Sequence, residues 1–132
     1  MKENLVLDAG VLALHFISNP KVKRFFDEID DEEKQGFVSS VNLSEFHYKT
    51  CQKLGKPVAD IRYYQLRRTS LRIIETDEEL SRMAGHEKCR QQKLSLADCY
   101  ALGLAKRLKA TLLTTDSELA KVREIRSLLF TP

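Results

Sequence analysis

The sequence contains no long apolar run, and no stretch of its 132 residues approaches the roughly 18 apolar residues that span a membrane. No signal peptide precedes the apolar residues 4–7, which predicts a cytoplasmic protein. Cys51, Cys89 and Cys99 form no Cys-x-x-Cys pair, which argues against a disulfide framework or a thiolate zinc site. His-x-x-x-His, Gly-x-x-x-x-Gly-Lys and Gly-x-Gly-x-x-Gly are also absent, which disfavours histidine metal sites and nucleotide-cradling folds.

The composition is that of an ordinary globular domain. With 42% hydrophobic residues, the chain is long enough to bury one core. No linker, repeat or low-complexity segment divides it, so residues 1–132 are predicted to form a single domain. The net charge of +3 is too small to indicate nucleic-acid binding by itself. Local basic clusters nevertheless permit a polyanionic partner: Lys21, Lys23 and Arg24; Arg67, Arg68 and Arg72; Lys106, Arg107 and Lys109.

Short apolar runs alternate with helical patterns along the chain. The runs predict strands at 4–8, 36–40, 71–74 and 110–114, and a fifth strand within 125–130 at the far edge of the sheet. Helices are predicted after residue 8 and at about 20–34, 42–54, 58–68, 76–91, 95–109 and 116–122. This alternation predicts a three-layer α/β/α sandwich with a mostly parallel sheet of four or five strands.

Four acidic residues follow these strands or begin these helices. Asp8 ends the first strand, and Glu45 lies in the first turn predicted after the second strand. Asp98 lies in the first turn of the helix that leads into the fourth strand, and Asp116 follows that strand. Because a parallel sheet gathers the carboxyl ends of its strands and the following helix N-termini at one edge, we expect these carboxylates to converge.

Helix capping is the simpler interpretation of each acid. Asp8 is placed to cap the helix after it. Capping boxes also fit Asn42-x-x-Glu45, Ser95-x-x-Asp98 and Thr115-x-x-Glu118. Four anions at one rim would still repel each other unless a cation lies among them or some hold protons.

Oxygen ligands favour Mg²⁺ or Mn²⁺ over zinc. Helix N-termini would help to hold the carboxylates and an incoming phosphate. Such an ion lowers the pKa of a water and orients it for attack on phosphorus, so no Ser, Cys or His nucleophile is required. The pattern therefore predicts a metal-dependent site acting on phosphate.

Four segments, in their order and spacing, resemble the motifs of one known family. They are Leu5-Val6-Leu7-Asp8, Ser40-Val41-Asn42-Leu43-Ser44-Glu45-Phe46, the run from Leu94 to Leu102, and Leu112-Leu113-Thr114-Thr115-Asp116. Over nearly its whole length the chain looks like a PIN-domain protein of the VapC-like class, the small single-domain ribonucleases that are toxins of type II toxin–antitoxin pairs.

This resemblance assigns roles to particular residues. It implies that Asp8, Glu45, Asp98 and Asp116 bind the metal and act in catalysis. It places the hydroxyl two positions before the last acid at Thr114, with Thr115 as the near alternative. Glu118 is a possible extra ligand, although a solvated acid at a helix start is the preferred interpretation. Many members carry Thr or Ser after the first aspartate, whereas this chain has Ala9-Gly10, which predicts one hydrogen bond fewer to Asp8.

The resemblance also implies Mg²⁺- or Mn²⁺-dependent endonucleolytic cleavage of single-stranded or loop RNA, leaving a 3′-hydroxyl and a 5′-phosphate. It implies homodimers, and often an antitoxin protein whose C-terminal segment lies across the active groove. The helix at 58–68 is expected to be amphipathic through Ile61, Tyr64 and Leu66. Tyr63 and Tyr64 are then either core residues or contacts with a second copy or an antitoxin.

Other functions of the same fold stay open. The same chemistry serves RNA processing or quality control, and a non-catalytic RNA-binding or regulatory module would share the architecture. A phosphorylated signalling domain is disfavoured, because Lys2-Glu3 precedes the first strand, where an acidic pair would have to follow it.

Overall fold

The computed structural model of the chain describes residues 2–132. None of the helices in this range combines the length and the apolar character that crossing a membrane requires. Strands and helices alternate in the order β1 (Glu3–Leu7), α1 (Ala9–Phe16), α2 (Pro20–Asp30), β2 (Lys34–Ser39), α3 (Ser40–Leu54), α4 (Lys56–Arg68), β3 (Arg72–Ile74), α5 (Glu78–Arg90), α6 (Leu96–Leu108), β4 (Thr111–Thr114), α7 (Ser117–Ala120) and β5 (Ser127–Leu129).

All strand pairs of the sheet are parallel, and the strand order is β3-β2-β1-β4-β5. The central strand β1 is buried on both faces. Leu5 and Leu7 belong to one core cluster, whereas Val6 belongs to the other, as expected for side chains that alternate along a strand. Helices α1 to α4 cover the first face, and α5, α6 and α7 cover the second. The predicted three-layer α/β/α fold is confirmed, with the predicted fifth strand at the sheet edge.

The boundaries of α2 and α3 differ from the prediction. Helix α2 ends at Asp30 instead of about residue 34, because Lys34 already pairs with Glu3 in the sheet. Helix α3 begins at Ser40, since the Ser39 side chain caps it by accepting a hydrogen bond from the Asn42 backbone N–H. The prediction that Asn42 starts this helix is therefore wrong.

The predicted apolar side of α4 is confirmed at Leu66 but is wrong at Ile61 and Tyr64. Ile61 and Tyr64 are 58% and 62% exposed, and the residues that α4 buries are Ala59 and Leu66. Tyr63 packs partly against the core. Helix α4 begins two residues earlier than predicted, because the chain turns at Gly55, whose φ of 90° suits glycine.

Candidate metal centre at the carboxyl edge of the sheet

Asp8 lies at the end of the central strand with a side chain that is only 3% exposed. As the simpler interpretation predicts, its Oδ1 caps α1 by accepting the Val11 N–H at 2.9 Å. Its Oδ2 also reaches the neighbouring strand, accepting from Thr114 Oγ1 at 2.5 Å and from the Thr115 N–H at 3.2 Å. Burial raises the pKa of Asp8, and this effect outweighs the three hydrogen bonds, which lower it; the charge of Glu45 raises it further.

Thr114, of the two candidate hydroxyls, is the one bonded to Asp8. The same oxygen accepts the Asp116 N–H at 2.9 Å, so it links two of the candidate acids. Asp116 in turn caps α7, accepting from the backbone N–H groups of Glu118 and Leu119. The predicted box that begins at Thr115 is therefore wrong, since the cap of α7 is Asp116.

The Ala9-Gly10 pair does not leave Asp8 short of hydrogen bonds. Its carboxylate accepts three, two of them from residues that close the fourth strand. Gly10 permits this arrangement, since a Cβ built on it would lie 1.9 Å from Thr115 Oγ1. The absence of a side chain at Gly10 thus allows the β4–α7 connection to approach Asp8 closely.

Asp98 lies in the first turn of α6 and forms the predicted capping box with Ser95. Its backbone N–H donates to Ser95 Oγ at 3.1 Å, and its Oδ2 accepts the Ser95 N–H at 3.3 Å. Partial burial, followed by the charge of Asp116, raises the pKa of Asp98 to about 6, and the charge of Asp8 adds to this rise. The hydrogen bonds with Ser95 oppose the rise but do not cancel it.

Glu45 lies one turn further into α3 than predicted, because that helix begins at Ser40. Its Oε2 pairs with Lys49 Nζ at 3.1 Å. Burial lowers the pKa of Lys49, but the bond to Glu45 and its charge, together with the weaker charge of Asp98, raise the pKa above its usual value. Lys49 is thus a cation at the acidic edge that the sequence analysis missed; its spacing of four residues from Glu45 on one helix was the available signal.

Asn42 is a second residue whose role the sequence analysis missed. It is fully buried, and its side-chain amide donates to the Ala97 carbonyl at 3.0 Å. Its Oδ1 accepts a hydrogen bond from Ser39 Oγ at 2.5 Å. Asn42 therefore fastens the first turn of α3, one turn before Glu45, to the first turn of α6, which carries Asp98.

Electrostatic interactions link the four acids at this edge of the sheet. Asp98 is affected by the charges of Asp116 and Asp8, and Asp8 is affected by that of Glu45. Among residues 2–132, however, no three His, Cys, Asp or Glu side chains form a group that could hold a metal ion as they stand. The local hydrogen bonds explain this geometry, because each carboxylate is turned toward a protein donor.

The donor set nevertheless fits a hard divalent cation. It consists of carboxylate oxygens and a threonine hydroxyl, the oxygen ligands that suit Mg²⁺ and Mn²⁺. Burial is the main cause of the raised pKa values of Asp8 and Asp98, and repulsion from the neighbouring acids raises them further. A bound cation would relieve this repulsion.

A family model described as the PIN domain matches residues 5–125. A comparison with curated protein sequences gives no match. Among solved structures, VapBC2 from Rickettsia felis, bound to a promoter DNA fragment, has a TM-score of 0.76 at 14% identity, covering 96% of this chain and 98% of that chain. FitAcB from Neisseria gonorrhoeae has a TM-score of 0.69 at 17% identity, with coverage of 93% and 95%.

VapC20 from Mycobacterium tuberculosis, described as a toxin that cleaves the sarcin–ricin loop, has a TM-score of 0.70 at 16% identity, with coverage of 92% and 98%. At such identities the structural likeness establishes the shared fold.

Proposed function

Because the chain belongs to the PIN domain family, we propose that it is a metal-dependent endoribonuclease of the VapC-like class that hydrolyses RNA phosphodiester bonds. The observation that carries this proposal is the acidic edge, where the charges of Asp116 and Asp8 act on Asp98 and the charge of Glu45 acts on Asp8. The description of the Mycobacterium tuberculosis relative as a toxin that cleaves an RNA loop supports RNA as the substrate.

We assign metal binding to Asp8, Glu45, Asp98 and Asp116. When bound, Mg²⁺ or Mn²⁺ supplies a water of lowered pKa and positive charge for the phosphate. Thr114 keeps the Asp8 carboxylate in place through its hydroxyl, and Lys49 offsets the charge of Glu45. No Ser, Cys or His nucleophile takes part in this mechanism.

Protein partners belong to the same proposal. We propose a cytoplasmic homodimer that is neutralised by an antitoxin. The antitoxin is supported by a structural neighbour from Klebsiella pneumoniae, with a TM-score of 0.68 at 14% identity, which is described as a toxin–antitoxin complex. Helices α3 and α4 expose Tyr48, Ile61 and Tyr64, each about half exposed or more. Contact with a second protein would bury these apolar side chains, and this burial would stabilise the complex.

An RNA cleavage assay tests the proposed function. The parental protein and Asp98→Asn are each incubated with structured and single-stranded RNA, in Mn²⁺ and in EDTA. We expect cleavage by the parental protein only with Mn²⁺. In Asp98→Asn we expect the cleavage rate to fall about 100-fold or more, because replacing a residue that only hydrogen-bonds a metal ligand already lowers activity by up to about 100-fold. Asp77→Asn is the matched control, since Asp77 also caps a helix but pairs with Arg107 and is not among the charges that act on Asp98.

Cleavage by Asp98→Asn at the parental rate would overturn the assignment. Isothermal titration calorimetry with Mn²⁺ distinguishes the nuclease from the remaining alternative, a module without catalytic activity. A parental protein that binds RNA, but neither binds Mn²⁺ nor cleaves, would be a non-catalytic RNA-binding module of the PIN fold.

A further inference from the structure

A cleft of about 640 Å³ lies between the α5–α6 loop and the segment that follows α7. Residues 90–94 form one side, and Glu118 with residues 121–124 form the other. Pockets of this volume lie within the usual range for ligand sites. The metal centre described above uses none of the basic side chains in this cleft.

The cleft adjoins the acidic edge on both of its sides. Leu94 directly precedes Ser95, whose backbone N–H bonds to Asp98. Glu118 on the opposite side donates its backbone N–H to Asp116 Oδ1 at 2.8 Å. A polymer bound across the acids can therefore continue directly into the cleft.

Ion pairs and hydrogen bonds hold the walls of the cleft in place. Arg90 Nη2 contacts Glu124 Oε1 at 2.9 Å and so ties the end of α5 to the opposite wall. Lys88 Nζ donates to the carbonyls of Gln92 and Leu94 at 2.9 and 2.7 Å, which fixes the loop on either side of Lys93. Because the cleft is already formed, a ligand would not have to order it on binding.

The charge of the cleft is positive. Four basic side chains line it against two acids, and both acids already have partners: Glu124 pairs with Arg90 and Glu118 with Lys121. Lys93 and Arg123 are exposed and make no ion pair with any residue in the described range. Two cations, one on each wall, are thus available to an anion.

We propose that this cleft binds the sugar–phosphate backbone of single-stranded RNA beside the bond to be cleaved, with Lys93 and Arg123 contacting phosphates. The proposal rests on the proposed ribonuclease function. A positively charged groove that follows the backbone is how proteins bind single strands without reading their sequence. Phosphate contacts of this kind position the substrate, so the cleft would align the chain over the acids.

The cleft suits a polyanion better than a protein partner. Its apolar residues, Leu94 and Val122, are only 3% and 8% exposed, and every other residue that lines the cleft is polar or charged. The centre of a protein interface is poor in charged residues and rich in aromatic ones. Such a surface exists on α3 and α4, where Tyr48 and Tyr64 are exposed.

The test measures RNA affinity against salt for the double variant Lys93→Gln/Arg123→Gln. Fluorescence anisotropy with a labelled single-stranded oligouridine is recorded in EDTA, so that binding is separated from cleavage. The logarithm of the RNA-binding constant falls linearly with the logarithm of the salt concentration, and each phosphate contact adds about 0.7 to the steepness of this slope. The slope of the double variant should therefore be shallower by about 1.4. Each single variant should lose about half of this, which keeps the test available if the double variant folds poorly.

The charge-matched control is Lys2→Gln/Lys53→Gln. Lys2 precedes β1 at the edge opposite Asp8, and Lys53 lies at the end of α3 remote from Glu45. The control should keep the parental slope. An unchanged slope in the cleft variant, or equal losses in both double variants, would overturn the proposal. The outcome that separates the two proposals combines two results. If the slope falls only in the cleft variant and the parental protein does not cleave RNA with Mn²⁺, the binding site is supported and the nuclease function is refuted.

Discussion

Thr114 Oγ1 donates to Asp8 Oδ2 at 2.5 Å and thereby joins the ends of the two neighbouring strands β4 and β1. The same oxygen accepts the backbone N–H of Asp116. Since Thr114 is fully buried, no water can take over these bonds. One hydroxyl group therefore sets the positions of the first and the last of the candidate metal ligands.

Replacing this hydroxyl should cost both stability and activity. Thr114→Val keeps the shape of the side chain but leaves Asp8 without one donor and the Asp116 N–H without its acceptor. We expect a loss of about 1–3 kcal/mol in the free energy of unfolding, measured in urea, because buried polar groups left unpaired cost this much. Thr114→Ser retains the hydroxyl and should retain most RNA cleavage. Equal stability and cleavage in Thr114→Val and the parental protein would contradict this role.

Gly10 should tolerate no side chain, although it lies in a helix, where alanine normally stabilises. A Cβ at Gly10 would lie 1.9 Å from Thr115 Oγ1 and 3.0 Å from Thr115 Cβ, so rotation of the threonine side chain alone cannot relieve the clash. Gly10→Ala should therefore lower the melting temperature. It should also lower cleavage, because the displaced Thr115 donates its N–H to Asp8.

Gly85→Ala is the matched control for this substitution. Gly85 also lies within a helix, α5, but no atom comes within 4 Å of a Cβ built there. The alanine should raise the free energy of unfolding by about 0.5–1 kcal/mol. A Gly10→Ala protein as stable as Gly85→Ala would show that the contact with Thr115 is not a constraint.

Asp98 should make the metal-free protein less stable at neutral pH. Its pKa is raised from 3.8 in a free aspartate to about 6 in the fold, so the folded protein binds the proton more tightly than the unfolded chain. Its contribution to stability is complete below the lower value and is lost as the pH rises through the upper one. In EDTA, Asp98→Asn should therefore gain about 1 kcal/mol relative to the parental protein between about pH 4 and pH 7, a figure reduced for solvent screening.

Asp77→Asn provides the opposite case. The Leu80 N–H and Arg107 hold the pKa of Asp77 below its usual value, so this carboxylate stabilises the fold above its unfolded pKa and loses that effect as the pH falls. Relative to the parental protein, Asp77→Asn should thus lose stability as the pH rises to about 4 and change little between about pH 4 and pH 7. Parallel pH profiles for the two variants, measured by thermal unfolding, would contradict the electrostatic description of the acidic edge.

The fold was predictable because its signals are local and repeated. Residues 5–7 are apolar and 110–114 mostly so, both runs are too short for helices, and the caps Asp8 and Asp116 follow closely, so the order of elements could be read directly. The resemblance to the PIN domain family, stated from four short segments, is confirmed by the match over residues 5–125.

Details that depend on tertiary contacts could not be predicted in the same way. Ser39 and Asn42 both suit a helix cap and lie three residues apart, so propensity alone did not decide between them. The choice is made by burial, since the Asn42 amide is needed to bind Ala97 of another helix. Similarly, the side of α4 that faces the core could not be read from Ile61 and Tyr64, which the packing of α3 against α4 leaves exposed.

The placement of the acids has a consequence during protein synthesis. Thr114 and Asp8 are bonded across 106 positions of the sequence, and β4 can pair with β1 only after both have been made. A nascent chain on the ribosome therefore cannot close the acidic edge until Thr114 has emerged. Premature termination or C-terminal proteolysis before Thr114 would leave a fragment without two of the contacts that orient Asp8.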